Sequence, residues 1–189
     1  MKTYYEMNIA GLDRKLPLCP LTDELQIGAF VIFGDAELTV ATARELLKLV
    51  PEEYDYMITA ESKGIPLIHE MARQSGAKKY MLARKAPKLY MKDVLKCEVN
   101  SITTAKKQTL YLDGQDAQLI KGSKILIVDD VISTGESLHA LEALINEAGG
   151  IIVGKLAILA EGEAADRTDI KYLEYLPLFN KDGDPLPRA

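Results

Sequence analysis

Ile125-Leu126-Ile127-Val128-Asp129-Asp130-Val131-Ile132-Ser133-Thr134-Gly135-Glu136-Ser137 is the stretch that decides the fold. An apolar run, a pair of carboxylates and a Ser/Thr/Gly turn lead straight into the helical pattern of Leu138 to Ala148. That order predicts a buried parallel strand over Lys124 to Val128, a loop at its carboxyl end, and the N-terminus of a helix running from about Glu136 to Ala148. A helix N-terminus carries unpaired N–H groups and the positive end of a dipole, so it suits a phosphate. Ser133, Thr134 and Ser137 add hydroxyl donors, and Gly135 lets the backbone approach an anion closely. Asp129 and Asp130 repel a phosphate but suit a ribose diol, or a Mg2+ ion and its waters. A simpler reading treats Ser133 to Glu136 as a Ser-x-x-Glu capping box that only starts the helix.

Outward from that stretch, strands and helices alternate. Helices are expected over Glu37 to Val50, stopped by Pro51, and over Ile65 to Gln74. Strands are expected over Gly28 to Phe33, Asp55 to Ala60, Lys79 to Ala83, Ile151 to Leu159 and Tyr172 to Leu178. The alternation predicts an α/β fold, a mostly parallel central sheet with helices on both faces, whose ligands sit at strand carboxyl ends. Arg84 to Leu119 breaks the alternation. Val94 to Ile102 and Gln108 to Leu112 read as arms of an antiparallel excursion with a polar tip around Thr103 to Lys107, the form of a mobile lid. Met1 to Gln26, punctuated by Gly11, Pro17 and Pro20, lacks a clean period and reads as an irregular segment before the core.

The chain of 189 residues, 48% hydrophobic and 27% charged, fits one domain, 1–189, with a small N-terminal hood at 1–27 and the excursion at 85–119. A formal net charge of -5 disfavours nucleic acid or an acidic membrane surface as partner. Cys19 and Cys97 lie far apart with only His69 and His139 besides, which argues against a structural zinc site. No stretch resembles a signal peptide or is apolar for long enough to span a bilayer, so the expected address is the cytoplasm.

An apolar strand, two acids and a loop ending Thr134-Gly135-Glu136-Ser137 resemble the sugar-phosphate signature of type I phosphoribosyltransferases. The resemblance runs from about Gly28 to Leu178 and lies nearest the adenine, xanthine and purine-repressor branch. It implies transfer of a phosphoribosyl group from phosphoribosyl diphosphate to a purine base, as purine salvage. It implies Mg2+, held by Asp129 and Asp130 through water, with Val131, Ile132, Ser133, Thr134, Gly135, Glu136 and Ser137 around the sugar phosphate. Glu61-Ser62-Lys63-Gly64 is similar to the family's pyrophosphate loop, and Arg84, Lys85 and Lys88 fall beside the diphosphate. Lys106 and Lys107, at the excursion tip, would arrive with a closing lid. A homodimer is implied as well.

Two departures bear on the base. The excursion carries Thr103-Thr104-Ala105-Lys106-Lys107 in place of the Glu-Tyr-Gly-Lys of adenine enzymes, and Glu161 is followed by Gly162 rather than the lysine of xanthine enzymes. The missing lysine makes adenine the first expectation and a xanthine- or guanine-type base the alternative. The rival from another class is a regulator that senses phosphoribosyl diphosphate. The first core strand begins near Gly28, which leaves little room for a DNA-binding domain before it.

Overall fold

A computed structural model describes residues 2–100 and 107–188, with the side chains of Asn100 and Lys107 outside the description. In chain order the elements are β1 (Tyr4–Ile9), β2 (Leu12–Pro20), β3 (Leu25–Gly28), α1 (Ala36–Leu47), β4 (Tyr56–Ala60), α2 (Gly64–Ser75), β5 (Met81–Ala83), β6 (Leu95–Asn100), β7 (Lys107–Leu112), α3 (Gly114–Ile120), β8 (Lys124–Ile132), α4 (Glu136–Glu147), β9 (Ile151–Glu161), a 3-10 turn (Gly162–Asp166), β10 (Lys171–Leu176) and β11 (Leu178–Asn180).

The core is a five-stranded parallel sheet in the order β10-β9-β8-β4-β5. Successive residues of β8 point to opposite faces. Ile125 and Ile127 pack with Leu141, Leu144 and Ile145 of α4 and with Leu110 and Leu112 of β7. Leu126 and Val128 pack with Leu38 and Leu46 of α1, Leu67 and Met71 of α2, and Ile9 and Leu16 of the hood. Both faces are therefore dry, as a parallel sheet requires. From β4 the chain crosses to β5 on one side and later to β8 on the other, so the strand order reverses between β4 and β8. A crevice opens there at the carboxyl ends. It widens because β4 pairs with β8 only as far as Ile58 opposite Ile127, whereas β9 follows β8 out to Ile132.

The segment expected to be irregular is instead a sheet, β1-β2-β3-β11. Ala10 and Gly11, at φ 53° and 84°, form the tight turn of its first hairpin. Its alternation is faint in the sequence because the sheet is only half covered: Tyr5, Met7 and Ile9 turn inward between exposed residues. Arg14 clips the hairpin to the core, its Nε 2.6 Å from Asp35 Oδ2 and its Nη2 2.8 Å from Glu37. Residues 29–33, expected as strand, form an extended connection that buries Phe30 and Ile32. The single last strand expected over Tyr172 to Leu178 is two. Pro177 has no N–H to give a ladder, and the chain passes there from the core sheet into the hood sheet, where Leu178 pairs with Ile27.

The antiparallel excursion is present as β6 and β7, paired from Leu95–Leu112 to Asn100–Lys107. Of its expected tip, Thr103 to Lys106 lie outside the described residues, and Lys107 is described only as backbone in β7. The short helix α3, which periodicity did not reveal, starts where Asp113 accepts the N–H of Gln115. No helix among the described residues is long and apolar enough to cross a membrane.

Candidate active site

Two helices begin in the crevice between β4 and β8, and neither is capped. α1 has the Asp35 carboxylate on the N–H of Leu38, and α3 has Asp113. α2 begins after Lys63 and α4 after Gly135, each with no side-chain cap. The capping-box reading of Ser133 to Glu136 therefore fails. Gly135, at φ 78°, is the residue before the helix, and Glu136 accepts a hydrogen bond from Gln108 Nε2 of β7 at 3.4 Å. Two neighbouring helix N-termini thus turn positive dipole ends toward one crevice, an arrangement suited to two anionic groups, although in α2 the Ile65 N–H is taken by the Ser62 carbonyl and Pro66 has none.

The loop from Val131 to Ser137 lines a small hollow with Asp129 and Leu138, and Ser133, Thr134 and Ser137 are exposed to it. The opposite loop, Glu61 to Gly64, comes close enough that a Cβ on Gly64 would lie 3.5 Å from Asp129 Oδ1 and only 2.2 Å from Thr59 Oγ1. Glycine is required there by the close approach of strand and helix.

Asp129 and Asp130 ride the end of β8 rather than the loop after it. Asp129 Oδ1 accepts the N–H of Asp130 at 2.9 Å, which partly realises a loop-capping role. Asp129 reaches the crevice with part of its surface, yet protein packed around its carboxyl makes ionisation costly. Burial first, and the neighbouring Asp130 charge second, push its pKa up to about 8. Asp130 is 4% exposed, and its buried Oδ2 has no hydrogen bond. Lys63 Nζ lies 2.8 Å from that oxygen as an ion pair outside hydrogen-bonding geometry, and it also reaches the Phe30 carbonyl at 3.4 Å. Lys63, expected at the diphosphate, is thus turned toward the acid pair and the hood.

Glu61 gathers the basic segment. Its carboxylate accepts the Lys85 N–H at 3.0 Å and lies 3.5 Å from Arg84 Nε. Arg84 is further fixed by paired backbone hydrogen bonds with Tyr111 of β7, both 2.8 Å. Arg84 and Lys85 therefore join the Glu61–Gly64 loop. Lys88 lies farther along, in a turn closed by its carbonyl and the Met91 N–H, and no hydrogen bond or ion pair among the described residues ties its side chain to the crevice.

Beside the Val131–Ser137 loop lies a cavity of 590 Å3 that the sequence did not reveal. Leu21, Ile27 and Leu178 of the hood close one side, Ser133 and Thr134 another, and Glu161, Gly162, Glu163, Ala164 and Arg167 the third. Burial raises the Glu161 carboxyl above its ordinary pKa, and the Lys63 charge partly opposes this. Arg167 is held by Asp169 in a two-pronged pair, Nε to Oδ1 at 2.9 Å and Nη2 to Oδ2 at 2.8 Å. Composition offered no hint of this pocket, because its walls come from three distant segments.

The donor set fits a hard cation only in company. Asp130 Oδ2 is buried and paired with Lys63, while Asp129 reaches the crevice with part of its surface, so the acid pair suits Mg2+ through water. No cluster of three or more metal-binding side chains occurs among the described residues, so oxygen atoms of a ligand and waters must complete the shell.

A family model, the phosphoribosyl transferase domain, matches residues 37–182. A hypoxanthine/guanine phosphoribosyltransferase of Methanococcus maripaludis is 29% identical over 167 residues, covering 85% of this chain and 86% of its own. One from Methanotorris igneus is 32% identical over 136 residues and 70% of each chain. Among solved structures, adenine phosphoribosyltransferase from Thermoanaerobacter pseudethanolicus superposes with a TM-score of 0.64 at 20% identity, over 92% of this chain and 95% of that one. The enzyme of the same name from Saccharomyces cerevisiae gives 0.62 at 19%, over 90% and 91%. These two likenesses speak for the fold alone. The strand, acid pair and twin helix N-termini, together with the match over residues 37–182, lead to one conclusion: the chain belongs to the phosphoribosyltransferase family, pentosyl-transferring enzymes, in its purine branch.

Proposed function

We propose that the chain transfers the 5-phosphoribosyl group of 5-phosphoribosyl diphosphate to a ring nitrogen of a purine base. The C1–O bond to the diphosphate breaks, a C1–N bond forms, the base loses its proton, and pyrophosphate and a nucleoside 5′-monophosphate leave. The observation that carries this reading is the pair of uncapped helix N-termini flanking Asp129 and Asp130. A phosphoribosyl diphosphate has an anionic group at each end of its ribose, and the crevice has an uncapped helix N-terminus on each side of an acid pair.

In this reading Val131 to Ser137 cradle the 5′-phosphate. The backbone of Ser62, Lys63 and Gly64 at the start of α2 faces the diphosphate while the Lys63 ammonium stays on Asp130, and Glu61 holds Arg84 and Lys85 beside it. Asp129 and Asp130 bind the ribose hydroxyls and, through water, Mg2+, which neutralises diphosphate charge when bound. As the bond to the leaving group breaks, C1 and the ring oxygen gain positive charge, which favours the ionised form of Asp129 against the burial that otherwise keeps it protonated. No covalent nucleophile is needed. Lys88, Lys106 and Lys107 are assigned to the diphosphate on the excursion 85–119, whose tip would close and exclude water while Leu110 and Leu112 stay packed in the core. The base lies in the 590 Å3 cavity under the hood, 1–27, of a single domain. A homodimer in the cytoplasm completes the proposal.

Adenine was expected because no cation follows Glu161 directly, but Arg167 lines the same cavity and removes that argument. The similar archaeal proteins are named for hypoxanthine and guanine. Pyrophosphate release, followed with Mg2+, phosphoribosyl diphosphate and a panel of bases, tests the reading. Release with a purine is expected. Tight binding of the sugar diphosphate without turnover on any base would favour a sensor instead.

A further inference from the structure

Arg167 sits at the seam between the phosphate loop and the cavity: a Cβ on Gly135 would lie 2.7 Å from its Nη1. It lines the large cavity with Glu161, yet it is absent from the hollow that Asp129 and Val131 to Leu138 enclose. Its Nη1 therefore stands where the Gly135 turn meets the large cavity, and the guanidinium opens on the cavity that it lines. Nε and Nη2 are committed to Asp169, and Nη1 makes no hydrogen bond with any described residue. Asp169 is itself steadied by Lys155 at 2.6 Å, and Lys155 by Glu142 of α4. A guanidinium fixed on one edge keeps its other edge ready for a ligand without loss of side-chain entropy on binding.

The geometry points to Arg167 as the residue that reads the 6-position of the base, donating from Nη1 to O6 of a 6-oxopurine while Glu161 accepts from N1–H. This rests on the phosphoribosyl-transfer reading above and deepens it. Arginine donates and cannot accept, so an adenine amino group in that place would face a second donor, and its bare N1 would face a carboxylate. Arginine pairs with guanine O6 and asparagine or glutamine with adenine for this reason, and neither amide residue lines the cavity. The reverse register would place the guanidinium charge on a ring nitrogen, a poorer acceptor than a carbonyl.

The test combines kcat/KM for guanine, hypoxanthine and adenine with calorimetric affinities for GMP and AMP. It compares the native chain with Arg167→Gln, Arg167→Lys and Asp169→Asn. The native chain should favour oxopurines and GMP. Arg167→Gln should lower oxopurine kcat/KM and GMP affinity roughly 10- to 150-fold, the worth of one charged hydrogen bond, mostly through the KM of the base. Adenine and AMP should lose much less, so that the guanine-to-adenine and GMP-to-AMP ratios fall. Arg167→Lys should keep part of the preference, and Asp169→Asn should weaken it by loosening the guanidinium. A native preference for adenine and AMP, or equal losses for all bases in Arg167→Gln, overturns the inference. Absence of turnover with every purine refutes the transfer reading, and the GMP-to-AMP ratio still decides the role of Arg167.

Discussion

Gly64→Ala is the sharpest perturbation of the crevice, because the added Cβ would fall 2.2 Å from Thr59 Oγ1 and 3.4 Å from Thr59 Cβ. Thr59 is fully buried on β4 and cannot swing away. Contact distance is restored only if the start of α2 withdraws by roughly 1 Å. Overpacking of this kind costs about 1–3 kcal/mol. The better helix propensity of alanine offsets less than about 1 kcal/mol, since the position is the first of the helix. In a chain of this length Tm should fall by about 2–4 °C for each net kcal/mol. The same withdrawal pulls the α2 N–H groups from the diphosphate, and a misplacement of roughly 1 Å can cost on the order of 100-fold in rate. Thermal scans and the KM for sugar diphosphate measure both effects. Thr59→Ala removes the clashing oxygen, so the double variant should recover stability beyond the sum of the single changes. A Gly64→Ala chain with native Tm and KM would refute the close approach of β4 and α2.

Gly135→Val should remove nucleoside 5′-monophosphate binding at saturating native concentrations. It forces a β-branched residue to φ 78° at a cost of about 1–2 kcal/mol and drives a side chain against Arg167, so an unchanged calorimetric affinity would place the phosphate elsewhere. Asp130→Asn should keep the fold and weaken binding of Mg2+ with sugar diphosphate about 10- to 100-fold, and native kinetics would remove Asp130 from the site. The raised pKa of Asp129 means that the folded chain binds a proton the unfolded chain has released. Its contribution to stability is therefore present below the ordinary carboxylate range and is lost as pH rises from there toward about 8. Asp129→Asn should flatten that part of the stability curve, and an unaltered slope would contradict the burial argument.

The core was legible because β8 and α4 obey local rules: an apolar run, an acid pair and a helix period lie within one continuous segment. The hood was not, since its strands alternate with only one covered face and its fourth strand comes from the far end of the chain, past Pro177. Charge relations were the least readable. Lys63 pairs with Asp130, and Arg167 touches Gly135, through a fold that joins separate loops at one switch point. The same limit applies to the base: the residue after Glu161 is read from sequence, whereas Arg167 joins the cavity from beyond the 3-10 turn.

Backbone amide chemical shifts test the two-ended anion site most directly. Phosphoribosyl diphosphate with Mg2+ should move the amides of Ser133 to Ser137 together with those of Ser62 to Ile65. Ribose 5-phosphate, which lacks the diphosphate, should move the first set and leave the second in place. If the sugar diphosphate shifts only one of the two loops, or ribose 5-phosphate shifts both equally, the helix N-termini of α2 and α4 do not divide the ligand between them, and the account of the site is wrong.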